Sequence, residues 1–109
     1  MARWILPDDA RLAMSIVVNV EEGSEMTVAD GDRGAEVVDE LNVVLRKAVR
    51  NYGNESNYRY GLKAGAPRIL RLLGDHGVRA TFTAAALALE RAPDLAEGIV
   101  DGGHEACAH

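Results

Sequence analysis

The sequence predicts an α/β fold with a parallel sheet, on three observations. The segment Leu12–Val20 holds apolar residues at consecutive positions, Ile16, Val17 and Val18, as strands covered on both faces do. The second half alternates helix-like and strand-like segments. Glycines fall where such segments should end, at Gly77 and at Gly102-Gly103.

Taken in order, residues 1–10 form an irregular lead-in closed by Pro7-Asp8-Asp9. The strand Leu12–Val20 follows and stops at Glu21-Glu22-Gly23. A short helix is expected over Glu36–Leu45, where Val37, Val38, Leu41 and Val44 share one face. The segment Asn51–Gly61 is rich in turn formers and reads as a loop, either a substrate-binding one or a plain surface connection. Ala64–His76 reads as a helix burying Ile69, Leu70, Leu72 and Leu73, with Pro67 in its first turn and Gly77 as a left-handed cap. Val78–Thr83 is a strand, Ala84–Arg91 a helix, Asp94–Val100 a second helix after Pro93, and a last strand starts near His104. A domain seldom stops just inside a new strand, so the chain is expected to be the N-terminal portion of a longer protein, with residues 1–11 a lead-in and 12–109 the truncated domain.

Composition narrows the function. At 109 residues the chain holds one domain or part of one, and 48% hydrophobic content makes it globular rather than disordered. Twelve basic against seventeen acidic residues give a net charge of −5, which argues against nucleic acid or an anionic membrane as partner. No apolar run approaches the ~20 residues of a membrane helix, and the opening residues do not form a secretory signal. A single cysteine, Cys107, excludes an internal disulfide and suits a reducing compartment. Together these point to a soluble, cytoplasmic protein.

In parallel α/β folds the chemistry gathers at the carboxyl ends of the strands. Glu21 and Glu22 stand there. Adjacent carboxylates can divide the roles of base and cation ligand, and they can equally be two solvated acids. The other candidate is His104-Glu105-Ala106-Cys107-Ala108-His109. Cys107 and His109 share a strand face, yet two residues fall short of the three or four ligands zinc takes. Cys107 reads as a small buried apolar residue and His104 as structural. His76, at a helix end, complements the dipole. No phosphate loop, dinucleotide fingerprint or serine-hydrolase elbow is present.

On these residues the chain resembles the polysaccharide deacetylases, the NodB homology domain. Asn19-Val20-Glu21-Glu22-Gly23 stands where that family has a strand ending in Thr-Phe-Asp-Asp-Gly. Gly77-Val78-Arg79-Ala80-Thr81-Phe82-Thr83 matches its Ala-Thr-Phe-Phe strand. Ala92-Pro93-Asp94-Leu95 matches a helix start, and Gly103-His104-Glu105 leads to His109, the first histidine of a His-x-x-x-His motif. Glu55-Ser56-Asn57-Tyr58-Arg59-Tyr60-Gly61 resembles a signature of the allantoinase-like and peptidoglycan-deacetylase-like subgroup. The resemblance implies the N-terminal part of a distorted (β/α) barrel. It implies a hydrolase of non-peptide carbon–nitrogen bonds, acting on a carbohydrate N-acetyl group or a small cyclic amide. It implies Glu21 as catalytic base, Glu22 and His109 as ligands of a divalent metal, zinc first, and Glu55, Asn57, Tyr58 and Tyr60 as substrate-binding residues. Some members of the subgroup work without metal. Homo-oligomerisation stays open, the 109-residue chain by itself is expected to be inactive, and the alternatives are a metal-independent allantoinase-type cyclic amide hydrolase, a non-catalytic binding or assembly module, or a truncated gene product.

Overall fold

The computed structural model describes residues 5–37 and 47–109. Three strands form one parallel sheet: β1 (Val17–Val20), β2 (Thr81–Ala84) and β3 (Glu105–Ala108), in that spatial order. The helices are α1 (Tyr52–Tyr60), α2 (Ala66–Asp75), α3 (Ala86–Arg91) and α4 (Pro93–Asp101). A π-turn over Gly61–Gly65 joins α1 to α2 without a break. Short 3₁₀ turns lie at Pro7–Asp9 and Val28–Asp30. The parallel α/β architecture is therefore as the sequence predicts. The helix expected over 36–45 falls mostly outside the described residues, with Val38, Leu41 and Val44 among those not described.

The register runs straight across the sheet. Val18, Phe82 and Ala106 form one row, Asn19, Thr83 and Cys107 the next, and Val20, Ala84 and Ala108 the last. Alternation sends Val20, Phe82 and Ala84 into the core with Leu73, Ala80, Ala88, Leu95 and Ile99. Phe82 and Ile99 are fully buried, each worth about 1.5–3 kcal/mol of transfer free energy. Helices α2 and α4 pack closely at Gly98, where a Cβ would lie 2.7 Å from Leu70 Cδ1. Gly77 closes α2 at φ +61°, the left-handed cap expected of it.

Several expectations need correction. The strand Leu12–Val20 is ordered as a strand only over Val17–Val20, because only those residues find ladder partners on β2. Leu12 and Met14 are exposed. The strand is not covered on both faces either: Val17 is 55% exposed while Val20 is buried. In α2 only Leu73 is buried, with Leu70 packed beside it, and Ile69 and Leu72 face outward. Cys107 is exposed rather than buried, as are all four residues of β3.

The largest correction concerns Asn51–Gly61, which is helical and not a loop. Its local signals for a helix are good despite its composition. The Asn51 side chain accepts from the Asn54 N–H as an N-cap, Glu55 sits in the first turn and Arg59 in the last. Glu55 is also buried against Arg50, five positions earlier, a specific side-chain contact that turn propensity does not register.

Candidate functional site

The site forms where β1 and β3 end on either side of β2. The Ala85 N–H donates to the Val20 carbonyl at 3.0 Å, and the His109 N–H to the Ala84 carbonyl at 3.1 Å. Glu21 and His109 thus follow the last ladder row on the two outer strands, roughly two strand spacings, or ~10 Å, apart. Their side chains close that gap over the end of β2: His109 Nε2 lies 3.1 Å from Glu21 Oε1. Both groups are about half exposed, at 42% and 56%. A contact so exposed contributes little to stability. Its effect is to orient the Glu21 carboxylate.

After Glu21 the chain turns sharply. The Ser24 N–H and Oγ both donate to the Glu21 carbonyl, at 3.0 and 2.6 Å. Gly23 adopts φ +102°, where a side chain would be strained, and a Cβ there would also lie 2.7 Å from Leu62 Cδ1. Its N–H donates to Glu25 Oε2 at 2.6 Å. Glu22 lies against the π-turn: a Cβ on Gly61 would approach Glu22 Cγ to 2.8 Å. The residue types at positions 61 and 23 therefore follow from how tightly the acidic turn meets the α1–α2 junction. Such π-turns recur at functional sites.

Asn19, Glu21, Glu22, Ser24, Glu25, Glu36 and Tyr58 line a cavity of about 510 Å³. Its lining is acidic, with one unsatisfied donor. The Tyr58 hydroxyl is buried and has no hydrogen-bond partner among the described residues. Burial raises its pKa first, and the charges of Glu25 and Glu36 raise it further. The phenol therefore stays protonated at neutral pH, a donor free for a ligand oxygen.

Of the residues singled out from sequence, Glu21, Glu22 and Tyr58 meet at this cavity and His109 joins them through Glu21. Glu55 is turned to a different use. Arg50 Nε donates to its Oε1 at 3.0 Å and Arg50 Nη2 to its Oε2 at 2.5 Å, and the Arg50 guanidinium stacks 4.6 Å from the Tyr52 ring centre. The hydrogen bonds from Arg50 lower the Glu55 pKa, against the opposing effect of desolvation. Asn57 and Tyr60 are exposed and do not line the cavity. Sequence reasoning passed over Asn19, Ser24, Glu25 and Glu36. Asn19 was open to discovery, because it lies two residues before Glu21 and points to the same strand face.

His104 is structural, as its sequence context implies. Its Nδ1 accepts the Ala80 N–H at 3.2 Å and its ring packs 5.1 Å from Phe82. For a metal, the described residues contain no group of three or more His, Cys, Asp or Glu able to hold one. The side chain that reaches His109 belongs to Glu21, while Glu22 lies on Gly61. That pair falls short of the three or four ligands a zinc ion takes. Among the described residues no helix is long and apolar enough to cross a membrane.

The chain is similar to three known proteins over nearly all of its length. A protein of Schizosaccharomyces pombe named "Putative polysaccharide deacetylase" is 33% identical over 106 residues, covering 94% of this chain and 33% of that protein. A crystal structure of a "probable Polysaccharide deacetylase" from Pseudomonas aeruginosa PAO1 is 39% identical with a TM-score of 0.80, covering 95% of this chain and 35% of the other. A crystal structure of "Puue Allantoinase" is 38% identical, again with a TM-score of 0.80 and the same shares of the two chains. No family model matches the chain. The chain spans about a third of the length of these relatives. Over that third, the resemblance read from its motifs holds in sequence and in fold.

Proposed function

We propose that the carboxyl end of this sheet is the water-activating part of a hydrolytic site for carbon–nitrogen bonds, polysaccharide deacetylase-like, with an N-acetylated carbohydrate or a small cyclic amide as substrate. Residues 12–109 supply the N-terminal β/α units of that domain and residues 1–11 its lead-in. The observation that carries this reading is the Glu21 carboxylate, half exposed at the end of β1, held by His109 and facing a cavity with a free phenolic donor. Similarity to proteins named for deacetylase and allantoinase supports the reaction class.

In this reading Glu21 takes a proton from a water molecule as the water oxygen attacks the amide carbonyl carbon. The developing oxyanion accepts a hydrogen bond from a fixed donor, and the neutral Tyr58 hydroxyl is the cavity's unclaimed one. The C–N bond then breaks as the leaving nitrogen takes up the proton that Glu21 removed from the water, which returns Glu21 to the carboxylate. His109 holds the Glu21 carboxylate in place. Glu22, seated on Gly61, adds a second carboxylate beside Glu21 in the lining of the cavity. Glu55 contributes through the Arg50 pair that anchors α1, and so sets where Tyr58 stands.

The test is turnover of N-acetylglucosamine oligomers and of allantoin by the protein expressed from its full reading frame, assayed with and without added zinc. Hydrolysis of either probe supports the reading, and which of the two is turned over gives the substrate class. Hydrolysis of neither contradicts it.

A further inference from the structure

The acidic turn is also held from behind, by a side chain far away in sequence. Arg91, the last residue of α3, donates from Nη1 to the Gly23 carbonyl oxygen at 2.6 Å, across 68 positions. The same nitrogen lies 3.3 Å from Asp30 Oδ2. Gly23 and Asp30 bracket the segment that leaves β1 and closes in the 3₁₀ turn. Asp30 Oδ2 also accepts from the Thr27 hydroxyl at 2.8 Å, and the Thr27 N–H donates to Asp32 Oδ2 at 2.8 Å. One guanidinium therefore ties both ends of the segment to α3.

A basic residue in the last turn of a helix complements its dipole. That role asks for no particular acceptor, whereas here one nitrogen meets a backbone carbonyl and a carboxylate from the acidic segment. Glu22 and Gly23 also pack on Gly61 and Leu62, and Gly23 on Ala88 of α3. The turn is held by α3 and by the α1–α2 junction, and this clamp includes the peptide that follows Glu22. The cation also stands among Glu25, Asp30 and Glu55, with which it lines a second cavity of about 150 Å³ behind the turn.

We propose that Arg91 is a positioning residue of the site. By fixing the Gly23 carbonyl it fixes the left-handed turn, and through the turn the direction of the Glu21 and Glu22 carboxylates. The inference rests on the hydrolase reading for its catalytic consequence, but the clamp itself can be measured without a substrate. The variants are Arg91→Gln, which removes the charge and shortens the reach, and Arg91→Lys, which keeps a cation. Amide hydrogen exchange at Ser24, Asp30 and Gly31 reports the turn, and kcat and KM on the probe turned over report the site. Arg91→Gln is expected to speed exchange at those amides and to lower kcat about tenfold, with KM changed far less. Arg91→Lys is expected to recover part of both. Unchanged exchange in Arg91→Gln would overturn the clamp. Faster exchange with unchanged kcat would overturn the positioning role, as would a general fall in Tm with kcat and KM moving together. If the wild-type protein turns over neither probe, the hydrolase reading fails and the exchange result alone decides the clamp.

Discussion

Two histidines sit five positions apart on either side of β3, and the sheet gives them opposite tasks. His104, at the amino end, is tied inward. It accepts the buried Ala80 N–H and packs on Phe82. His109, at the carboxyl end, is 42% exposed and reaches across the end of β2 to Glu21. Residue type does not distinguish them; the strand end does. At the amino end the backbone of β2 is already committed to the core, so a polar ring there must satisfy it. At the carboxyl end the turns leave the sheet, and carboxylates and a phenol face a cavity, with the His109 imidazole against one of the carboxylates. This division of a parallel sheet into a stabilising end and a reactive end is the general one.

The comparison can be broken at either end. The largest expected change in stability comes from the core beneath His104: Phe82→Ala should cost about 3–5 kcal/mol, read as a fall in the denaturant midpoint. His104→Ala should cost about 1–3 kcal/mol, since it strands a buried backbone N–H. His109→Ala should cost under about 0.5 kcal/mol, because its pair is exposed. Equal costs for the two histidines would erase the distinction. A smaller effect separates binding from folding: Tyr58→Phe removes a hydroxyl without a partner among the described residues, so stability should stay within about 0.5 kcal/mol while turnover falls.

A pH titration sharpens the same contrast through Glu55. Its folded pKa lies below the unfolded one, mainly because Arg50 hydrogen-bonds its charged form. Its contribution is therefore fully present above the unfolded value, about 4.3, and is lost as pH falls through the lower folded value. Glu55→Gln should accordingly lower Tm at neutral pH and flatten its decline in acid. A variant whose acid limb matches wild type would contradict this assignment.

Much of this was legible in the sequence, and the misses share a cause. Alternating strands and helices in the second half, Gly77 as a cap and acids after β1 all follow from local pattern, and all are found. What composition and spacing could not supply was which side chains actually meet, near or far in sequence. The composition of Asn51–Gly61 describes a loop, but a capped N-terminus and the Arg50–Glu55 pair make it a helix. Ile69 and Leu72 have the spacing of buried residues, yet α2 packs against α4 on the flank of Leu70 and Leu73 and leaves these two outward. At the site, Glu21, Glu22, Tyr58 and His109 could be chosen by motif. That Glu21 rather than Glu22 meets His109 depends on sheet register, which single-chain spacing does not encode.

The central claim is that Glu21 is the base at the reactive end. The most direct measurement is the turnover of Glu21→Gln beside wild type in the full protein, on whichever probe the wild type hydrolyses, with Tm recorded for both. A carboxylate acting as general base predicts a fall in kcat of about 10²- to 10⁴-fold, with Tm unchanged because the side chain is more than half exposed. Turnover within a few-fold of wild type at equal Tm would contradict the account.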